Sequence, residues 1–458
     1  MSPAMPGPAT ASPLMSGLGT AGTWPGRQSP AGGGLPRLLP PAGQPGGNLA
    51  AHLGRHGPVP YRGEIARLIP EVRAAGLTGR GGAAFPVHRK LEAVAAAGPG
   101  RAIVVGNAAE GEPASHKDEA LLRLAPHLVL DGLQLAAEAV GAARAVLYVR
   151  RDVHADTRLE EKMTQRYGRG LDRVAVEVVP APARFLAGEE SALASLVSGG
   201  AAVPRFTPPR VFERGVDGRP TLVQNVETLA HLALIARYGS GWFRAAGTPD
   251  EPGTMLCTLH QADGSVTVAE AAIGTPLAEL VSLSPASAVL VGGYHGAWIP
   301  VAQASRLGLS NAMLRPLGAF TGAGVLAALP ANRCGLVETA RVARYLALES
   351  AGQCGPCLNG LPAVAAALAE LAGLASEGGR GGGRGPDSRV VSDLIRWAGL
   401  VEGRGACHHP DGTVRFIGSA LRVFEAEVRE HQRGRCGAGS SLPFLPVPAG
   451  PSADADWS

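Results

Sequence analysis

The stretch AIVVGNAAEGEPASHKDE, residues 102 to 119, decides the fold class of this chain. Its first residues are apolar and of strand length, and a polar, glycine-containing loop follows them. Ligands bind beyond the carboxyl ends of strands in open α/β sheets, so Asn107, Glu110 and Glu112 are candidate ligand contacts. The alternative is a solvated loop with a few salt bridges, although a single exposed loop gains little from such pairs.

Further strand-length apolar runs follow along the chain, at AVLYVR (145–150) and VAVEVV (174–179). Helix-period stretches at 120–142 and 152–168 separate them. This β-α-β-α-β order predicts an α/β sheet with helical cover.

The second half of the chain has a different order of predicted strands and helices. From about residue 254 to 300 the order strand, strand, helix, strand predicts a small α+β module. Four helix-period segments then predict a small helical bundle. These segments are 336–348, 359–375, 388–400 and 415–432.

Composition limits the class of protein. The 458 residues are 45% hydrophobic and can fill two or three domain cores. A formal charge of +4 with interleaved acidic and basic residues gives no indication of a nucleic-acid groove. Six cysteines in so long a chain do not make a secreted disulfide framework, and no apolar run reaches the length of a membrane span. A cytoplasmic protein is expected.

Two more glycine-containing loops are candidate sites. In GLTGRGGAAFPVHRK (76–90), Gly79 and Gly81 allow backbone N–H groups to approach a phosphate, and Lys90 supplies a positive charge. In FLAGEESALASLV (185–197), Gly188, Glu189 and Glu190 open an amphipathic helix. Each is weak alone, because glycine clusters are common in turns and acidic residues are common in first helical turns.

The segment ESAGQCGPCLNG (349–360) lies between two predicted bundle helices. Cys354 and Cys357 flank a Gly-Pro pair, which directs two thiolates toward one metal or cluster. Two sulfurs complete neither kind of site, so further ligands must come from elsewhere.

Taken in order, these motifs closely resemble the NADH-binding flavoprotein subunit of respiratory complex I and the related diaphorase subunits of soluble hydrogenases and formate dehydrogenases. The motifs are GRGGAAFP, NAAEGEP with KD, GEESAL, NVET and ESAGQCGPC, between about residues 62 and 433. The resemblance implies an α/β flavin-binding domain, a β-grasp (ubiquitin-like) module and a C-terminal four-helix bundle with an iron-sulfur motif.

The resemblance also implies roles for individual residues. Positions that match family FMN contacts are Gly79, Gly81, Lys90, Asn107, Glu110, Gly188, Glu189, Asn225 and Thr228. Positions that match contacts to the nicotinamide nucleotide are Phe85, Glu112 and Glu190, of which the two glutamates are expected at the catalytic centre. Cluster ligands would be Cys354, Cys357 and Cys407.

The sequence departs from the family at several of these motifs. In the motif NAAEGEP, Ala109 replaces an Asp of the family. Thr207 and Arg210 stand where the family has a Lys and a Phe that contact the nucleotide. Arg210 could stack on adenine or favour NADPH by pairing with a phosphate. Ala351 occupies the position of the first cluster ligand.

The missing fourth thiolate leaves several metal centres open. The site could hold a [4Fe-4S] cluster with a non-Cys fourth ligand, His408 or His409 being nearest in sequence. It could hold a [3Fe-4S] cluster, a Cys₃His zinc ion, or no metal.

The expected function is that of an NADH dehydrogenase of diaphorase type. It would oxidise NADH or NADPH with FMN and pass electrons through an iron-sulfur cluster to a ferredoxin-like or thioredoxin-like iron-sulfur partner or a larger complex. The alternative is a non-catalytic flavin- or zinc-binding subunit of a redox complex. The expected domains are a disordered tail (1–48), the FMN/NAD-binding domain (49–245), the β-grasp, SLBB-like module (246–332), the iron-sulfur bundle (333–435) and a second disordered tail (436–458).

Overall fold

The computed structural model describes residues 34–41, 43, 46–374, 386, 389–439, 442–448 and 457–458. Over these ranges the chain has a mixed α/β architecture with two sheets and a C-terminal group of helices. The prediction is therefore confirmed at the level of a mixed α/β chain. Within the described ranges, no helix is both long and apolar enough to cross a lipid bilayer.

The first sheet is parallel and belongs to the α/β region that the sequence predicts. Its strands are β1 (Ile103–Ala108), β2 (Arg144–Arg150), β3 (Val176–Ala181) and β4 (Thr221–Asn225). Their order is β3-β2-β1-β4. The chain adds β2 and β3 on one side of β1 and then returns to place β4 on the other side, so the strand order reverses between β1 and β4. Crevices at such reversal points, outside the carboxyl ends of the strands, are where open α/β sheets bind ligands.

Helices cover this sheet and provide most of its core. Those before β4 are α1 (Leu49–His56), α2 (Ile69–Ala75), α3 (Val87–Ala95), α4 (Lys117–Leu124), α5 (Pro126–Val140), α6 (Arg151–Thr157), α7 (Leu159–Tyr167) and α8 (Glu190–Val197). Helix α9 (Val226–Arg244) follows β4 and packs against α5. A Cβ atom at Gly132 would lie 1.9 Å from the carbonyl oxygen of Leu229, so this glycine permits the close approach of α5 and α9.

The stretch PTLVQNVETLAHLALIA (220–236) has the apolar spacing of a helix, whereas its first part forms β4. A five-residue strand runs directly into α9, and the strong helical periodicity of α9 obscures it. The predicted helix at 120–142 is also divided, because Pro126 begins a new helix after Ala125.

The second sheet is mixed. Its strands are β5 (Thr254–His260), β6 (Val266–Ala272), β7 (Ala286–Val291), β8 (Ala297–Pro300) and β9 (Val325–Pro330). Their order is β6-β5-β9-β7-β8, with β5 and β9 parallel and the other neighbours antiparallel. The short helices of this region are α10 (Leu277–Leu280), α11 (Val301–Ala304) and α12 (Asn311–Leu314).

The C-terminal helices share one apolar core with part of the second sheet. They are α13 (Gly335–Leu348), α14 (Leu361–Leu371), α15 (Val390–Val401), α16 (His409–Val423) and α17 (Glu425–Gln432). The segment predicted as one helix at 415–432 is therefore two. The break falls at the buried Phe424, which caps α17 and packs edge-on against Trp298 of β8.

Most residues of the two predicted tails lie outside the described ranges, but some described ones are packed. Leu38 is buried, and its backbone N–H donates to Glu270 Oε2 over 2.8 Å. Leu445 is buried, and its N–H donates to Glu338 Oε2 over 2.9 Å. The expectation of unpacked tails is wrong for these residues, because a single leucine in a Pro-rich segment is enough to dock it on a core.

Candidate functional site

Polar side chains from β1 and β4 meet at the carboxyl edge of the first sheet. The strand register pairs Asn107 with Asn225. Asn225 Nδ2 donates to Asp118 Oδ2 over 2.6 Å, and Asn225 Oδ1 caps α9 by accepting from the N–H of Glu227 over 3.0 Å. Asn107 Nδ2 donates to the carbonyl of Gly188 over 2.8 Å. Hydrogen bonds thus join β1 to the loop before α8 and β4 to the start of α4.

A buried ion cluster lies beneath this edge. Lys117 Nζ contacts Asp118 Oδ1 at 2.8 Å and Glu227 Oε2 at 2.9 Å, and all three side chains are nearly inaccessible to solvent. Burial alone would raise the pKa of Glu227, but Lys117 and His231 hold it at about 2. Glu227 Oε1 also accepts from the N–H of Leu256 on β5, over 2.8 Å. The cluster therefore connects the first sheet to the second.

Glu110 folds back onto the first turn of α4. Its carboxylate accepts from the N–H of Lys117 over 3.1 Å and from the N–H of Asp118 over 3.2 Å, and it also bonds the hydroxyl of Ser115. Burial and the Asp118 carboxylate raise the pKa of Glu110 to about 7, against the lowering effect of Lys117. Glu110 thus fixes the shape of the loop that carries Glu112.

Glu112 reaches across to the second sheet. Its Oε2 accepts from the N–H of Tyr294 over 2.7 Å, in the turn between β7 and β8. A Cβ atom at Gly293 would lie 2.5 Å from that oxygen, and Gly293 has a φ of +85°, so only glycine suits this position. Burial raises the pKa of Glu112 to about 7, although hydrogen bonds from two backbone N–H groups oppose the shift.

The first glycine loop lies against the start of α9. Thr228 Oγ1 accepts from the N–H of Arg80 over 2.8 Å. A Cβ atom at Gly81 would lie 3.3 Å from Cβ of Asn225. Gly79 donates its N–H to the carbonyl of Phe85 over 2.9 Å, which closes the loop. The sequence motifs at 79–85 and 225–228 are therefore in direct contact.

The rim of this site is formed by α3 and α8. Lys90 of α3 forms an ion pair with Glu190, the first residue of α8. Glu189 caps α8 by accepting from the N–H groups of Ser191 and Ala192 over 2.9 and 3.0 Å. Phe85 is 43% exposed, so its ring is open to a planar ligand.

A close backbone approach joins the loop that follows β1 to the loop that precedes α8. A Cβ atom at Gly188 would lie 2.4 Å from the carbonyl oxygen of Ala109. The buried Gln224 of β4, the residue before Asn225, has a side-chain nitrogen with no hydrogen-bond partner among the described residues. Together with the glycine loop and Lys90, this unpartnered donor suits an anionic ligand rich in acceptors, which FMN is.

The predicted cluster ligands come together at one end of the helical region. Cys354 and Cys357 lie between α13 and α14, and Cys407 precedes α16. Burial and the neighbouring thiols of Cys354 and Cys407 raise the pKa of Cys357 to about 12, against the hydrogen bond from the Ser350 side chain. These three sulfurs suit a cluster held by three thiolates, and Ala351 offers no ligand atom.

The two histidines nearest to Cys407 in sequence have different surroundings. His408 has a fully exposed side chain. His409 is buried, and its ring bonds the carbonyl of Leu346 over 2.8 Å and the ring of His295 over 3.0 Å. His409 could therefore become a fourth ligand only by breaking both hydrogen bonds.

The segment from Thr207 to Arg210 lies on the surface beside the start of α8. It is anchored by Ser191, whose Oγ accepts from the N–H of Arg205 over 2.8 Å. Arg210 is exposed, and its N–H donates to Glu213 Oε2 over 2.9 Å. Phe206 is 71% exposed and was overlooked in the sequence, where the only signal was an aromatic residue directly before Thr207.

Lys117 and Glu227 are also missing from the set of site residues predicted from the sequence. In the sequence, Lys117 is marked only as the lysine of the KD motif, and Glu227 only as part of NVET. Their contact joins residues that are far apart in the sequence, which no local pattern indicates.

Two family matches cover the two regions just described. The Nuo51 FMN-binding domain matches residues 72–234. The NADH-ubiquinone oxidoreductase-F iron-sulfur binding region matches residues 338–431. These matches confirm the predicted FMN-binding and iron-sulfur-binding regions.

Curated relatives agree with these matches, and all three described here are F subunits of NADH-quinone oxidoreductase. The F 2 protein of Rhizobium meliloti (strain 1021) is 29% identical over 392 residues, which cover 81% of this chain and 90% of the relative. The F 1 protein of the same strain is 31% identical over 312 residues, which cover 64% of this chain and 72% of the relative. The Streptomyces coelicolor protein is 29% identical over 406 residues, which cover 84% of this chain and 86% of the relative.

Solved structures with a similar fold include an NAD⁺-reducing [NiFe]-hydrogenase in the H₂-reduced state. One of its chains is 26% identical, with a TM-score of 0.73, and the match covers 88% of this chain. It covers 66% of the hydrogenase chain, so about a third of that chain has no counterpart here.

Proposed function

Because this chain belongs to the family of NADH-quinone oxidoreductase F subunits, we propose that it is the NADH-oxidising, FMN-dependent component of an electron-transfer system. It oxidises NADH and passes electrons through an iron-sulfur centre. The observation that carries this function is the hydrogen-bonded edge between β1 and β4, where Asn107, Asn225 and Gly188 meet. FMN supplies the hydride acceptance and the one-electron release that no side chain can provide.

In this proposal the glycine loop and Lys90 hold the FMN phosphate. The backbone N–H groups near Gly79 and Gly81 and the ammonium of Lys90 supply donors and positive charge. The amides of Asn107 and Asn225, with Thr228, hold the polar edge of the ring or the ribityl chain. Lys90 must then leave Glu190, its partner in the structure, when phosphate enters.

The nicotinamide nucleotide enters from the open side of the same site. The exposed ring of Phe85 offers a stacking surface. Glu190, freed from Lys90, accepts from the ribose hydroxyls or the carboxamide. Glu112, held rigidly by Tyr294 and Ala114, presents a carboxyl group whose pKa of about 7 lets it accept or donate a hydrogen bond near neutral pH. Phe206 and Arg210 are the residues available for the adenine end.

Cys354, Cys357 and Cys407 would hold the cluster. Three thiolates suit a [3Fe-4S] cluster, or a [4Fe-4S] cluster with one iron left to a non-protein ligand. The apolar core around α13, α14 and α16 excludes water from one side of the sulfurs. Burial is the main cause of the raised pKa of the Cys407 thiol, and the carboxylate of Glu189, at the cap of α8, adds to it. The cluster site is therefore close to the FMN-binding edge.

The remaining features of the proposal concern assembly. We assign a β-grasp module to the second sheet and a four-helix core to α13–α16, with α17 as an addition. An electron acceptor with its own iron-sulfur centre, of ferredoxin-like or thioredoxin-like fold, would dock near the three cysteines. The cytoplasm is the expected compartment.

The test of this function begins with flavin binding. The chain has only three lysines, and two of them form a matched pair for this purpose. Replacing Lys90 with Met should weaken FMN binding by about 1.5–3 kcal/mol, or about 10- to 150-fold, because a charge-assisted contact to the phosphate is lost. Lys162→Met should leave it unchanged. Flavin fluorescence quenching measures both, and equal affinity of the two variants would contradict the assignment of the phosphate site.

A further inference from the structure

A second group of metal-ligand side chains lies at the other end of the helical region. Cys334 caps the start of α13, His431 lies in the last turn of α17, and Cys436 follows that helix. Their ligand atoms all lie within 4.8 Å of one another. Among the described residues it is the one group of three or more such side chains that meets this criterion.

This group is separate from the three cysteines of the predicted cluster. Cys334 precedes α13, whereas Cys354 and Cys357 follow it. A helix of that length, residues 335–348, spans about 20 Å. Cys334 and Cys436 match no cluster ligand of the family, and their proximity is not a consequence of the iron-sulfur site.

The spacing fits a tetrahedral zinc ion. Zinc bonds of about 2.3 Å to sulfur and 2.1 Å to nitrogen place tetrahedral ligand atoms about 3.6–3.8 Å apart. Cys334 Sγ lies 3.3 Å from His431 Nε2, and Cys436 lies within the same small volume. Only small side-chain shifts would open this group around an ion.

Neighbouring groups complete and orient the set. Glu427 lies one helical turn before His431 on α17, and its Oε2 is 3.0 Å from Cys334 Sγ. The same oxygen accepts from the N–H of Leu336 over 3.2 Å, which fixes its position. The His431 ring is also hydrogen-bonded to the backbone of Leu371. Backbone or carboxylate partners of this kind orient metal-binding histidines in many sites.

The donor types select zinc from among the common ions. Two sulfurs, one imidazole and one carboxylate are the ligand classes zinc accepts, whereas Mg²⁺ and Ca²⁺ require oxygen sets. Without a cation, the Glu427 carboxylate and the thiol of the buried Cys334 face each other. A bound divalent cation would replace that thiol proton and compensate the charge of Glu427.

We propose that Cys334, His431 and Cys436 bind one structural Zn²⁺, with Glu427 as the fourth ligand. The ion ties the end of α17, and the segment after it, to the start of α13. That segment continues to Leu445 and Pro446, which dock on Glu338 and on the hydroxyl of Tyr294. The zinc site thus anchors a C-terminal strap that reaches the turn holding Glu112.

The experiment uses the full-length chain, prepared under reducing conditions with FMN and iron. Cys436 is exposed, so Cys436→Ala leaves the core intact, and His431→Gln provides a second variant. Cys257→Ala, in β5, removes one thiol far from the site and serves as the matched control. Zinc, iron and flavin are quantified after removal of loosely bound metal, and Co²⁺ is substituted to observe thiolate-to-cobalt absorption.

About one zinc ion per chain is expected in the parent protein and in Cys257→Ala. Cys436→Ala and His431→Gln should each lose most of it, with unchanged flavin and iron. Retention of zinc in both variants would overturn the proposal. So would zinc that is lost from an additional Cys407→Ala variant instead, or a Cys334–Cys436 disulfide that persists under the reducing conditions. Because flavin and iron are measured in the same samples, failure of the zinc site is distinguishable from failure of the proposed function.

Discussion

Replacing Lys117 with Met tests the role of the ion cluster beneath the candidate flavin site. In the structure, Nζ lies 2.8 Å from Asp118 Oδ1 and 2.9 Å from Glu227 Oε2, with side-chain exposures of 3%, 6% and 0%. Removal of the cation leaves two buried carboxylates without their compensating charge. Breaking a buried pair in this way costs about 3–5 kcal/mol.

The measurement is the free energy of unfolding from urea titrations, followed by circular dichroism. Lys162→Met is the matched control, because Lys162 is only partly buried and donates to the carbonyl of Thr157, so its loss should cost less than about 1 kcal/mol.

A second substitution sharpens the test. Gln at position 227 can still accept from the N–H of Leu256 but carries no charge. Adding Glu227→Gln to Lys117→Met should therefore recover part of the lost stability, as a coupling energy in a double-mutant cycle. A Lys117→Met variant within about 1 kcal/mol of the parent protein, or a double variant with purely additive losses, would refute the reasoning.

The remaining predictions concern the cluster, the pH dependence and the nucleotide. Ala351→Cys restores a fourth thiolate. After anaerobic reconstitution and reduction, the variant should therefore give a stronger electron paramagnetic resonance signal of a reduced [4Fe-4S] cluster than the parent protein. Identical spectra would contradict the assignment of the site. Between about pH 4.5 and 7, Glu112 keeps its proton in the folded chain but loses it in the unfolded chain. The folded state therefore binds more protons, and the free energy of unfolding falls as pH rises through this window. Glu112→Gln should remove up to about 3 kcal/mol of that fall, measured from unfolding at about pH 5 and pH 7, and an unchanged slope would exclude this origin. If Phe206 stacks on adenine, Phe206→Ala should raise KM for NADH more than Arg210→Ala does. If Arg210→Ala instead loses NADPH oxidation more than NADH oxidation, the arginine contacts a phosphate.

Local patterns in the sequence were sufficient for part of this structure. The alternation of strands and helices from residue 102 onward predicted an α/β sheet with helical cover. The strand β4 escaped notice because it is short and merges with α9. The contact of Gly188 with Ala109 depends on how two loops fold together, which periodicity does not encode.

Long-range contacts account for what the sequence did not reveal. Lys117 and Glu227 form their ion pair only when α4 packs beside α9. Cys334 and His431 meet because α17 returns to the start of α13, and no ligand spacing links them. Conversely, His409 is adjacent in sequence to the predicted cluster site, yet it is committed to His295 and Leu346. Sequence proximity was a poor guide to ligand sets in both cases.

The most direct test of NADH oxidation is an anaerobic titration of the FMN-loaded, full-length chain with NADH, followed by visible absorbance. The account predicts that the flavin band bleaches with about one equivalent of NADH per flavin, since a hydride carries two electrons. Flavin that stays bound and oxidised in the presence of excess NADH and NADPH would contradict it, and would indicate a subunit that binds flavin without oxidising the nucleotide.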